Sequence, residues 1–125
     1  EMEQYYILAE TVKQNIDYDV LLQSYPNEGQ LVQGIYELIV ETVAYIGKKL
    51  VVASNELPAE LVKNRLMKLN FMHIQYVISS MKKNTTEIKN IKKYLLAALY
   101  NAPATMQGYY QAEVNHAMPQ YAKRN

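Results

Sequence analysis

Two histidines, one Asp-x-Asp pair and a dense run of lysines are the side chains of this 125-residue sequence with most to offer chemistry. His73 and His116 lie far apart, and neither has a carboxylate at metal-ligand spacing. Zinc asks for three or four converging ligands, whereas the second half of the chain supplies only Glu87 and Glu113 as acids. Asp17 and Asp19 have the spacing of a calcium loop's opening, but no glycine hinge or distal glutamate completes it. Helix capping accounts for the pair more simply. Cysteine is absent, which removes thiol nucleophiles, disulfides and thiolate metal sites together. The glycine-rich phosphate loops and the serine- or histidine-centred hydrolase motifs are also missing. The chain therefore reads as a binding module rather than an enzyme, with no metal and no cofactor.

The lysines say more. Lys82 and Lys83 close one expected helix, and Lys89, Lys92 and Lys93 share a face of the next that its apolar stripe leaves free. Together they are expected to form one ridge around a helix–helix corner. Lysine attracts phosphate as a point charge, and no helix carries an Arg/Asn/Gln array for reading bases. A solvated helix face would look the same, since lysines suit helix C-termini. The wider charge pattern points the same way. Residues 1–60 hold ten acids against three lysines, a net of −7; residues 61–125 hold two acids against ten basic residues, a net of +8. Such asymmetry suggests a polyanion or an acidic partner for the basic half.

The elements that must position these residues are helical. Tyr5, Leu8, Val12 and Ile16 fall near helical spacing, and Asp17 is placed to cap a short helix through Leu21 and Leu22. Pro26 to Gly29 reads as a turn. Leu31, Ile35, Leu38, Ile39 and Val43 make an amphipathic stripe that ends at Gly47. Residues 50–53 are the one strand-like stretch, with no second strand in view. Pro58 and Glu60 open a helix carrying Leu61, Arg65, Leu66 and Leu69. Asn70 caps the next, striped by Ile74, Val77, Ile78 and Met81. Asn84 with Glu87 opens another through Ile88, Ile91, Leu95 and Leu99, and Pro103 restarts the chain as a last helix through Met106, Tyr110, Val114 and Ala117, stopped by Pro119. The expectation is one all-α domain over residues 1–125, a compact bundle of about six or seven short helices with at most one short extended segment near 50–53. The apolar runs are far short of the roughly 20 residues that span a bilayer. Twelve tyrosines against one phenylalanine and no tryptophan suit half-buried positions and contact surfaces.

Two resemblances follow. The run NFMHIQYVISSMKKNTTEIKNIKKYLLAALYNA, residues 70–102, resembles the C-terminal helical module of the DnaD-type primosome proteins. That module's Tyr-x3-Ile-x3-Trp signature starts at Tyr94 but meets Ala98 and Ala102 where isoleucine and tryptophan are usual. More broadly, NIDYDVLL (15–22), ELIVETV (37–43), LPAELVKNRLMKL (57–69), NTTEIKNIKKYLLAALYNAPAT (84–105) and YYQAEVNH (109–116) resemble the C-terminal domain of RepA-type plasmid replication initiators of Firmicutes. This resemblance implies a DnaD-like fold within a longer protein, whose winged-helix domain before this segment binds origin repeats in the bacterial cytoplasm. It also implies that this domain recruits a host replication protein, with primase the leading candidate and the helicase-loading machinery next. Lys82, Lys83, Lys89, Lys92, Lys93 and Tyr94 are then the residues expected to bind a partner or DNA. Sequence-nonspecific DNA binding and self-association between the acidic and basic halves are the two alternatives.

Overall fold

The computed structural model describes residues 2–84 and 88–117. Its elements are α1 (Met2–Ile16), α2 (Tyr18–Ser24), a 3-10 turn (Pro26–Glu28), α3 (Gly29–Val43), β1 (Lys49–Val52), β2 (Asn55–Pro58), α4 (Ala59–Met67), α5 (Phe71–Lys83) and α6 (Ile91–Ala117). Six α-helices and one two-stranded hairpin fall within the expected helical bundle.

Helix α3 is the organising element because its stripe is wide enough to face several neighbours. Val32, Ile35, Leu38, Ile39, Val40, Thr42 and Val43 are all buried. Helices α1, α2, α4 and α6 pack around it. Thr42 is the buried polar residue of this stripe, and its hydroxyl donates to the Leu38 carbonyl at 2.7 Å, so burial leaves no bond unmade. Val12 and Ile16 of α1, Ile74, Val77 and Ile78 of α5, and Leu95 and Leu99 of α6 complete one continuous core. An aromatic corner fixes α1, α2 and α3. The rings of Tyr18 and Tyr36 lie 4.6 Å apart, with the Lys13 ammonium 5.5 and 5.6 Å from their centroids. Burial first, and nearby carboxylates second, push both phenols above the usual tyrosine range.

Four local expectations are corrected. The strand-like stretch has a partner: β1 pairs antiparallel with β2, Val52 facing Asn55 and Lys49 facing Pro58. The turn is Ala53-Ser54, at φ 52° and 69°. A two-residue hairpin with positive φ at both central positions has Asn-Gly as its usual signal; Ala-Ser gives none. Pro58 ends the strand as well as preceding α4, which hid β2 inside an apparent helix start.

In and after helix α4, Leu66 and Leu69 are buried as expected, but Leu61 is 41% exposed and Ala59 and Val62 are buried instead. Asp17 stands at the start of α2, but in the left-handed region at φ 52° and with no side-chain cap bond. It turns the chain between two helices instead of capping the second. Finally, α6 begins at Ile91, where the Asn90 side chain accepts from the Lys93 amide at 3.0 Å. It then runs unbroken through Pro103 to Ala117. Proline removes the amide that would bond the Leu99 carbonyl, yet three turns already formed before it, with the ring of Tyr109 set against Tyr76 beyond it, carry the helix on. The expected cap at Glu87 and the stop at Pro119 lie outside the described residues; Asn84 itself ends α5.

Candidate partner-binding trough

The five lysines do not form one ridge. Lys82 reaches Glu28, before α3, at 2.9 Å, and Lys92 reaches Glu41, near the end of α3, at 2.6 Å. Thirteen residues of mostly helical rise separate those carboxylates, about 20 Å. The Lys93 ammonium donates to the Ser54 hydroxyl at 2.9 Å, on the hairpin turn. Lys89 is exposed in the connection between α5 and α6. The separate docking of α5 and α6 pulls the corner apart. Acidic and basic halves thus meet partly within the molecule: Glu28 and Glu41 come from the first, Lys82 and Lys92 from the second. Both lysines and Glu41 are well exposed, and pairs with such solvent access contribute about 0–1 kcal/mol. Lys82→Gln or Lys92→Gln should therefore leave denaturant stability within about 1 kcal/mol of the parent chain; a larger loss would mean that the pairs hold the fold together.

Lys83 and Tyr94 end up in a different place, on the surface where α5 and α6 pack. One groove of about 260 Å³ is lined by Tyr76, Val77, Ser80, Tyr94, Ala98 and Thr105, among others. A second, of about 490 Å³, is lined by Tyr25, Met72, Tyr76, Ser80, Lys83, Tyr109 and Tyr110 with polar neighbours. They share Tyr76 and Ser80 and run on from one another as a trough. Its rings are mutually arranged. Tyr76 and Tyr109 have centroids 6.1 Å apart, and Tyr109 meets Tyr110 edge-on at 5.7 Å. Such contacts hold large side chains in defined positions while leaving their area available. Tyr109 is 44% exposed, Tyr110 49% and Met72 49%. Lys83 is the one cation lining the trough and has no ion-pair partner among the described residues.

The sequence reading missed Tyr25, Met72, Tyr76, Tyr109 and Tyr110. A signal was present. Tyr94, Asn101, Thr105 and Tyr109 recur at intervals of seven, four and four, one face of a helix continued past Pro103. Breaking the helix there hid it. The expected stripe Met106, Tyr110, Val114 is correspondingly not core: Val114 is 43% exposed.

A cap sets the start of the trough's α5 wall. The His73 amide donates to the Asn70 side chain at 3.2 Å, and the Asn70 amide donates to His73 Nδ1 at 3.0 Å. This reciprocal box satisfies two helix-end donors. It requires an unprotonated Nδ1, and burial lowers the His73 pKa below its ordinary value of 6.5. The unfolded chain therefore takes up the proton first. The cap's contribution is complete above about pH 6.5 and is lost as pH falls from there through the folded value. Thermal melts should show the parent chain losing stability between pH 7 and 5.5, with a shallower loss in His73→Gln, whose side-chain oxygen can accept the same bond. Parallel curves would remove His73 from this role.

Among the described residues no group of three or more His, Asp or Glu side chains is arranged to hold a metal ion. None of their helices is long and apolar enough to cross a membrane. A family profile matches residues 1–120. The chain belongs to the DUF6017 family. That family is described as one of unknown function, so membership adds no chemistry to the trough. No curated protein and no solved structure matches this DUF6017 chain.

Proposed function

We propose that this domain is the recruitment module of a plasmid replication initiator, docking a host replication protein, primase first among them, in the tyrosine trough between α5 and α6. The observation that carries the reading is the coincidence of surface and segment. The trough draws Tyr94, Thr105, Tyr109 and Tyr110 from residues 84–105 and 109–116, two of the blocks on which the resemblance to RepA-type initiators rests. Tyrosine and methionine are among the residues favoured at protein interfaces, where rigid amphipathic rings lose little entropy on contact. The domain acts by holding its partner at the origin and performs no covalent step itself.

Nonspecific DNA binding is the less supported reading, because Lys82 and Lys92 already hold carboxylates and their ammonium groups stand far apart. Self-association between the halves loses support for the same reason, since Glu28 and Glu41 are engaged within one chain. The test is capture of purified host primase by the immobilised 125-residue chain at low salt. Failure to capture it, with helicase-loading proteins failing as well, overturns recruitment. Binding to oligonucleotides with a steep salt dependence would favour DNA instead.

A further inference from the structure

The hairpin offers a second surface, separate from the trough and independent of the recruitment reading. The Ala59 amide donates to the Lys48 carbonyl at 2.8 Å, so residues 48 and 59 form a hydrogen-bonded pair. Bonded and non-bonded pairs alternate along an antiparallel ladder. With the observed register, Leu50 with Leu57 and Val52 with Asn55 are bonded pairs, whereas Lys49 with Pro58 and Val51 with Glu56 are not. This placement has two consequences. Pro58 loses nothing by lacking an amide. Lys49 and Val51 point their own N–H and C=O groups away from β2, where no hydrogen bond reaches them among the described residues.

What surrounds this edge is apolar and positive. A cleft of about 440 Å³ runs beside β1, lined by Leu38, Tyr45, Leu50 and Leu96, with Lys93 and the paired Lys92 and Glu41 also on its wall. Val51 is 57% exposed and the nearby Ile46 97% exposed. Lys48 and Lys49 are exposed, with no carboxylate partner among the described residues. The acids of this region are otherwise placed: Glu41 holds Lys92, and Glu56 sits on β2.

We propose that the outer edge of β1 takes up an acidic, extended segment of a partner protein as a third strand. Strand addition supplies main-chain bonds for affinity and alternate side chains for specificity. Residues of the incoming strand on the Leu50 side enter the apolar cleft, and those on the Val51 side set carboxylates against Lys49. A second copy of β1 is a poor occupant, because lysines on both edges would oppose one another, the usual protection of an open edge. Phosphate polymers could match the charge but not the amide ladder.

The test is an amide-resolved NMR titration of the 125-residue chain with a blocked heptapeptide of alternating Glu and Val. The expected result is saturable shifts at the Lys49 and Val51 amides, with at least tenfold slower hydrogen exchange at saturation. Val51→Pro removes one outward amide and no β1–β2 bond, and should weaken binding at least tenfold. Should that variant fold poorly, N-methylating alternate amides of the peptide must have the same effect on the parent chain. A double Tyr109→Ala, Tyr110→Ala variant should bind the peptide unchanged, which separates this edge from the trough. Absence of binding overturns the proposal, as does binding indifferent to Val51→Pro and to N-methylation. Equal shifts at these amides from a Lys–Val peptide or from oligothymidylate overturn it too.

Discussion

Replacing Tyr109 and Tyr110 together by alanine should abolish capture of host primase at micromolar concentrations while leaving the melting temperature nearly unchanged. Both rings are close to half exposed, at 44% and 49%, so truncation removes little area from the fold. On a partner surface the balance reverses. A tyrosine buried at the centre of an interface contributes about 2 kcal/mol or more, roughly 30-fold in affinity for each ring. Tyr110 leans on Tyr109, and Tyr109 on Tyr76, so the two losses will not add independently. A drop of about a hundredfold is the expectation. Tyr5→Ala with Tyr6→Ala on α1 is the matched control, because those rings also touch each other, at 6.3 Å, and are exposed, but lie outside the trough. Equal losses in both double variants would remove the trough from the recruitment reading. A large fall in melting temperature for the Tyr109/Tyr110 variant alone would recast the rings as structural.

Leu99→Ala should destabilise the chain far more than Leu61→Ala, although sequence periodicity places both leucines in helix stripes. Leu99 is fully buried at 0% exposure, whereas Leu61 is 41% exposed. Deleting a buried leucine costs the transfer energy plus the cavity left behind, about 2–5 kcal/mol, while an exposed one costs well under 1 kcal/mol. For a domain of this size the first corresponds to a fall of roughly 10–15 °C in melting temperature. Paired melts of the two variants check it. Comparable losses would mean that Leu61 faces the core as the sequence periodicity suggests, and that Val62 does not hold the inner side of α4 in its place.

These two expectations bracket what could be read from residues alone. Helix content, the Asn70 cap and the core stripes of α3 and α5 were legible because each is encoded within a few turns. Ile35, Leu38 and Ile39, or Ile74, Val77 and Ile78, repeat at 3–4 residues and are all buried. Capping by Asn70 needs a side chain three residues from its donor. Charge segregation was legible too, since it is only a count.

Four features were decided by tertiary structure. The phase of α4 depends on which side α3 lies, and a short helix with apolar residues at 59, 61, 62 and 66 fits two rotations. β2 exists because Lys49–Val52 pairs with it across an Ala-Ser turn that carries no turn signature. Continuity of α6 through Pro103 overrides a local rule: the lost amide is one bond, and α5 packs along the helix that survives it. The lysines were grouped by sequence distance, yet the partners of Lys82 and Lys92 stand at opposite ends of α3, while Lys83 and Tyr94 joined Tyr76, Tyr109 and Tyr110 of their own two helices and Tyr25 from the chain before α3. Local periodicity and capping act over one helical turn, and the sequence by itself determined them. Which surfaces coincide depends on how rigid helices dock, and only the tertiary structure decided that.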